Sequence, residues 1–258
     1  MDKDLDKKLT PKSGARFHVR GTLGNGSEIR LSAEAAHHAV RVLRLGVGEP
    51  VVLFDGHGGE FEARITRMER GEVLVKTGAH REVERESRLH IVLVQGLSSG
   101  DRMDITLQKA VELGVARIQP VATERSVVKL KDERAHRRME HWRNLVVSAC
   151  EQCGRNRVPA VHEAVSFGDA VNLCPEGATR CLLAADATIS LTQAAAHAAG
   201  AKLVLLIGPE GGLADSEEKH AQANGFISCR LGPRIMRTET AGLAALAALQ
   251  AVAGDFSR

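Results

Sequence analysis

The chain has 258 residues, 43% of them hydrophobic, which is enough apolar mass for one large domain or a small domain beside a larger one. Its 35 Lys and Arg against 32 Asp and Glu leave a net charge of +3, which excludes a uniformly basic polypeptide and confines any nucleic-acid affinity to local patches. Aromatic residues make up 3%, with no Tyr and one Trp, which argues against an extended base-stacking platform. In chain order, Ser27 to Leu31 alternates as a short strand and stops at Ser32, an N-cap for an apolar-spaced helix over Ala33 to Leu45 that Gly46 closes. Strands at Val51 to Phe54 and Glu60 to Arg67 flank the glycine-rich hairpin turn Asp55-Gly-His-Gly-Gly, and Glu72 to Lys76 adds another. Residues 1 to 77 thus read as a small β-rich domain, and the charged, aperiodic stretch 78 to 88 as a linker.

From residue 89 to 258 the pattern becomes alternating strands and helices. An apolar strand at His90 to Gln95 precedes an amphipathic helix at Met103 to Leu113, a strand at Ala116 to Ala122 and a long helix over Asp132 to Cys153. Strands follow at Cys181 to Ala185, Lys202 to Ile207 and Phe226 to Leu231, with helices at Ile189 to Ala198, Asp215 to Asn224 and Glu239 to Val252. Apolar strands alternating with helices predict an α/β domain with a parallel sheet covered on both faces. Ligands of such sheets sit at the carboxyl ends of strands, which directs attention to the loops after 207 and 231.

Several motifs compete for the chemistry. Gly96-Leu-Ser98-Ser-Gly100 fits a nucleophile elbow between strand and helix, although Asp101 and Arg102 separate the serine from the predicted helix. No phosphate-cradling loop is present, and Gly56-x-Gly58-x-x-Phe61 places a ring where a dinucleotide loop needs glycine, which disfavours an NTPase or a Rossmann dehydrogenase. Cys150 and Cys153 have metal-ligand spacing without a second pair, and His37-His38 lack a nearby carboxylate cluster, so no metal is expected. Five scattered cysteines, a charged amino terminus and the absence of a long apolar run predict a soluble, reduced, cytoplasmic protein with no membrane segment. The basic excess lies between 81 and 160, with 15 Lys and Arg against 11 acids, and seven of those cations fall between Arg125 and Arg143. Gly154 then interrupts the helix and sets Arg155 and Arg157 on a loop suited to phosphate contacts.

The two most informative segments are Gly208-Pro-Glu-Gly-Gly212, directly after an apolar strand, and Leu231-Gly-Pro-Arg-Ile-Met-Arg-Thr-Glu-Thr-Ala241, which runs through the expected N-cap Thr238 into an uncharged, Ala-rich helix. Together they closely resemble the SPOUT methyltransferase family that methylates N3 of a uridine in 16S ribosomal RNA. His37-His-Ala-Val-Arg-Val-Leu-Arg44, Asp101-Arg-Met-Asp, Gln108-Lys-Ala-Val-Glu-Leu-Gly114 and Glu151-Gln-Cys-Gly-Arg-Asn-Arg-Val-Pro159 agree in the same order, and Met236 stands where the family more often has Leu.

The resemblance implies a PUA-like amino-terminal domain for RNA and a SPOUT α/β domain whose last stretch forms a trefoil knot, working as a homodimer. It implies S-adenosylmethionine as methyl donor, held by Leu183, Ile207, Gly208, Gly212, Leu231, Gly232, Ile235, Met236, Thr238 and Ala241. Arg237 is expected to stabilise charge on the substrate base and Glu239 to orient it or the cofactor, with Glu210 as the alternative carboxylate or a helix cap. For RNA contact, Arg16, Arg20, Arg155 and Arg157 are the candidates, and the partner implied is 16S ribosomal RNA in the assembled small subunit. The rival readings are a serine hydrolase using Ser98, a non-catalytic ribosome-binding protein, and a ribose 2′-O-methyltransferase.

Overall fold

The computed structural model describes residues 14–126, 133–196 and 202–256, and for residues 133 and 134 the backbone alone. The chain forms two compact units, Met1–Arg85 with Cys150–Val158, and Glu86–Ala149 with Pro159–Arg258.

In the first unit, β1 (Arg16–His18), β2 (Glu28–Arg30), β3 (Pro50–Phe54), β4 (Glu60–Glu69) and β5 (Glu72–Arg81) form one sheet in the order β1-β3-β4-β5-β2. Only the β1–β3 pair is parallel. The two-residue turn Arg70-Gly71 has φ of 48° and 84°, the mirror-image geometry that matches strand twist and joins β4 to β5. Gly56, Gly58 and Gly59 supply the positive φ angles of the expected turn before β4. Inward-facing Phe17, Leu53, Ile65, Val73 and Val75 fill the core.

Three features depart from the sequence expectation. The helix begins as predicted, with Ser32 Oγ accepting from Ala35 N at 3.1 Å, but α1 ends at His37 and continues as a π-helical turn over His38–Val42. Arg44 closes the segment at φ 54°. Strand β5 runs to Arg81, so the stretch read as a linker starts inside a strand. Cys150–Val158 packs as part of this first unit, with His57 and Arg157 forming an antiparallel bridge.

The second unit is built on a wholly parallel sheet. Its strands are β6 (His90–Gly96), β7 (Arg117–Ala122), β8 (Ala160–Val161), β9 (Val165–Ser166), β10 (Thr179–Leu183), β11 (Ile189–Ser190), β12 (Lys202–Ile207) and β13 (Phe226–Arg230). Their order is β11-β13-β10-β12-β6-β7-β8, with β9 also paired to β7. β6 and β12 are buried along almost their whole length, as their unbroken apolar runs require in a sheet covered on both faces.

The helices are α2 (Asp101–Glu112), α3 (Glu133–Cys153), α4 (Phe167–Asn172), α5 (Leu191–Ala196), α6 (Asp215–Ala223) and α7 (Thr238–Ala253). Asp132, expected in α3, and residues 197 and 198, expected in α5, lie outside the described residues, as do Lys129 and Lys131 of the basic run. The sequence reading missed α4, a two-turn element capped by Ser166, whose Oγ accepts from Asp169 N at 3.3 Å.

Connectivity locates the binding end of the sheet. β6 and β12 are neighbours, yet the chain leaving β6 crosses through α2 to β7 on one side, while the chain leaving β12 crosses through α6 to β13 on the other. Such a reversal opens a crevice at the carboxyl ends of the strands.

Candidate functional site

Gly208 to Gly212 leave the end of β12 at that crevice. A β-carbon on Gly96, at the end of neighbouring β6, would lie 2.5 Å from Pro209 N and 2.8 Å from the Gly208 carbonyl carbon. The glycine that opens the Gly-x-Ser-x-Gly pattern thus serves close packing of two loops. Gly212 adopts φ 70°, a conformation natural only to glycine, and its N–H donates to Pro209 O at 2.9 Å to close the turn. Arg125 Nη1 donates to Gly211 O at 3.2 Å from the loop after β7. Glu217, 9% exposed, accepts from Ala214 N and Glu124 N at 2.9 Å each, tying the start of α6 to the same loop. Ala214 is thus the N-cap of α6, and Glu217 in the first turn, in place of Glu210, supplies the carboxylate that satisfies its N–H.

Glu210 serves elsewhere. Its Oε1 accepts from Ser99 N and Oγ at 2.9 Å and from Arg102 Nη1 at 3.0 Å. Partial burial would raise its pKa, but the Ser99 and Arg102 hydrogen bonds to the anion outweigh this and hold it below the ordinary carboxylate value.

The second segment returns over the first. Arg237 occupies the cap position of α7 and Thr238 is its first helical residue, which corrects the N-cap expectation for Thr238. Thr238 is buried because its Oγ1 donates to Gly208 O at 2.6 Å and accepts from Gln95 Nε2 at 2.9 Å. The fully buried Gln95 was not singled out from sequence, since an amide at the end of an apolar strand carries no pattern of its own. This relay pins the start of α7 across the ends of β6 and β12.

Between the two segments lies a cleft of about 460 Å³, within the size range of small-ligand sites. Leu183, Ile207, Leu231 and Met236 give it apolar walls, Gly208, Gly212, Gly232 and Ala241 keep the main chain accessible, and Ile235 and Thr238 complete the expected set. Ala184 and Ala185, after β10, also line it. Arg237 and Glu239 face the same cleft, Arg237 exposed at the rim and Glu239 with a side chain 16% exposed. Among the described residues, Glu239 Oε2 is buried without a hydrogen-bond partner. Ile235 is 88% exposed, between the exposed Arg234 and Arg237.

The four arginines expected to contact RNA divide into two kinds. The side chain of Arg16 is 10% exposed: it pairs with Glu60 Oε2 at 2.6 Å, donates to Arg155 O at 3.3 Å and lies 5.0 Å from the Phe54 ring centroid. Arg155 is 5% exposed. Both are consumed by the packing of Cys150–Val158 in the first unit, which corrects their assignment to phosphate contact. Arg20 is exposed, and the half-exposed side chain of Arg157 lies 3.3 Å from Glu84. Arg41 and Arg44, not nominated from sequence, are exposed and have no ion-pair partner among the described residues.

The hydrolase reading fails at its nucleophile. Ser98 is 3% exposed, and its Oγ donates to Gly96 O at 3.2 Å. Asp101 and Arg102, which the sequence pattern sets apart from the helix, form the first turn of α2. Cys150 is buried and Cys153 half-buried, and among the described residues no group of three His, Cys, Asp or Glu side chains is placed to hold a metal ion. No helix among them is long and apolar enough to cross a membrane.

A parallel sheet with a glycine-loop cleft at its switch point, joined to a small β unit, is the architecture that the family comparison assigns to RNA methyltransferases with a PUA domain. Family models described as an RNA methyltransferase domain and an RNA methyltransferase PUA domain match residues 85–250 and 31–77. The chain belongs to this RNA methyltransferase family, in the branch of the ribosomal RNA small subunit methyltransferases E. It is 31% identical to that enzyme from Bacillus subtilis over 226 residues, covering 85% of this chain and 88% of the relative. The crystal structure of the Neisseria gonorrhoeae enzyme, bound to S-adenosyl methionine, superposes with a TM-score of 0.86 at 41% identity, covering 94% of this chain and 99% of the other. A Legionella pneumophila methyltransferase in complex with the same cofactor gives 0.84 at 38% identity, with coverage of 94% and 99%.

Proposed function

We propose that this protein is an S-adenosylmethionine-dependent methyltransferase acting on N3 of a uridine in 16S ribosomal RNA of the small subunit. The observation that carries the reading is the single cleft into which two segments far apart in sequence bring glycine main chain, apolar walls and the unpartnered Glu239 oxygen. These fit the cofactor: the apolar side chains suit an adenine, the glycines admit close main-chain contact, and the buried acceptor suits an ammonium or hydroxyl donor. The relatives crystallised with S-adenosylmethionine support the same assignment.

When bound, the cofactor supplies an electrophilic methyl group. Uracil N3 carries a proton in its neutral form, so the protein must favour the ionised base and the charge that spreads to O2 and O4. Arg237, exposed at the cleft rim, is the side chain for that role, with Glu239 behind it to orient the cofactor. Leu183, Ile207, Gly208, Gly212, Leu231, Gly232, Ile235, Met236, Thr238 and Ala241 form the cofactor cradle.

The first unit holds RNA through Arg20 and Arg157 together with Arg41 and Arg44. We place the enzyme in the cytoplasm as a homodimer, the last stretch of each chain threaded into a trefoil knot. Half-buried Leu243 and Ala247 and exposed Ala251 lie on one face of α7, which carries no charge after Glu239, and suit contact with a second copy.

The test is incubation with S-adenosylmethionine and either naked 16S RNA or small subunits from a strain lacking the modification, followed by nucleoside mass spectrometry. 3-Methyluridine is the expected product, formed on the assembled subunit. A 2′-O-methylated nucleoside, or no methylated product on either substrate, would overturn the proposal.

A further inference from the structure

We infer that Arg102 is a positioning residue that couples the two loops enclosing the cleft, an inference that uses the methyltransferase reading only to choose a ligand for its test. Arg102 stands in the first turn of α2, in the Asp101-Arg-Met-Asp stretch to which the proposed reaction gives no role. Its Nη1 donates to Glu210 Oε1 and to Ser99 Oγ, both at 3.0 Å, and its Nε lies 3.9 Å from Glu239 Oε1. Glu210 belongs to the glycine loop after β12, Glu239 to the first turn of α7 and Ser99 to the loop after β6. One guanidinium therefore touches all three segments that meet at the crevice.

The physical reason is charge and direction together. Glu210 and Glu239 face the same cleft, and without a cation between them their carboxylates repel, which favours separation of the loops that carry them. Guanidinium suits this place because its nitrogens diverge in a fixed plane and reach two acids at once, whereas an ammonium is a single point of charge. The participating side chains are 39%, 25% and 16% exposed, so each contact alone is a weak stabiliser. Their value lies in linking two loops so that one does not move without the other. The 3.9 Å contact leaves Glu239 incompletely compensated, and its Oε2 has no partner among the described residues. The clamp thus holds Glu239 in place while leaving one acceptor for a ligand.

The test compares the wild-type protein with Arg102→Met and Arg102→Lys by titration with S-adenosylmethionine and by hydrogen exchange without ligand at residues 208–214 and 239–242. Arg102→Met is expected to weaken binding about tenfold, a coupling-sized effect, and to speed exchange in both segments. Arg102→Lys should restore protection at 208–214 but not at 239–242. Glu210→Gln and Glu239→Gln should affect the dissociation constant non-multiplicatively in the wild type and multiplicatively in Arg102→Met. Unchanged exchange at 239–242 in Arg102→Met, or multiplicative effects in the wild type, would overturn the coupling. A folded wild-type protein that does not bind the cofactor would instead defeat the methyltransferase reading, while the exchange measurements still decide the clamp.

Discussion

Gly96 was conspicuous in the sequence as the first residue of a possible nucleophile elbow, and the structure gives it a different task. Its missing side chain lets Gly208 and Pro209 lie against the end of β6, so the cleft depends on it without its touching any ligand. Gly96→Ala places a β-carbon against the backbone of half-buried Gly208 and buried Pro209, and is expected to lower stability by about 1–3 kcal/mol and to weaken S-adenosylmethionine binding by more than about tenfold as the 208–212 loop is pushed away. Calorimetric titration beside circular dichroism checks this, and unchanged affinity would mean that the loop absorbs a methyl group freely. Ser98 shows the opposite case: a residue type with catalytic potential is buried and bonded to its own loop, where it attacks nothing.

At the scale of elements, Cys150–Val158 shows how a charged pattern misleads. A glycine-broken loop with two arginines suggested phosphate contact, yet Glu60 gathers Arg16, Arg85 and Asn156 around one carboxylate oxygen, and Arg155 is buried with them. Burial alone would raise the Glu60 pKa, but the hydrogen bond and charge of Arg16, helped by Asn156 and Arg85, lower it below its ordinary 4.5. An acid depressed in the folded state contributes stability that is fully present above the unfolded value of 4.5 and is lost as pH falls below it through the folded value. Protection factors along β4 and β5, taken relative to the intrinsic exchange rate at each pH, should therefore fall on acidification below 4.5 in the wild type. In Glu60→Gln these protection factors should be lower at neutral pH and much less dependent on acid. A wild-type exchange profile parallel to that of the variant would remove Glu60 as the anchor. α7 is a second instance, since Thr238, expected to cap it, is its first helical residue and bonds Gly208 O, a carbonyl that only the tertiary structure brings within reach.

For the whole molecule, the two kinds of arginine predict two kinds of salt dependence. Arg20→Ala with Arg157→Ala should weaken binding to small-subunit RNA and reduce the slope of log affinity against log salt by about two, one for each lost phosphate contact. Arg16→Ala should destabilise the first unit and leave that slope unchanged. Filter binding across a salt series, with unfolding followed separately, distinguishes the two outcomes, and equal slopes for all variants would move the RNA surface to Arg41 and Arg44.

The parallel α/β sheet, the β-rich first unit and the residues that line the cleft were legible in the sequence because each rests on a local signal. Apolar runs follow from burial on both faces, glycines from main-chain geometry, and the two loop motifs from an order of residues peculiar to one family. Tertiary structure alone decided which polar groups were already satisfied. It withdrew Arg16 and Arg155 from RNA, turned Thr238 and Glu210 away from helix caps, and set Gln95 beneath α7 and Arg102 between two carboxylates. The reason is that a hydrogen bond or ion pair depends on distance in space, and the partners here stand from 30 to 143 residues apart along the chain.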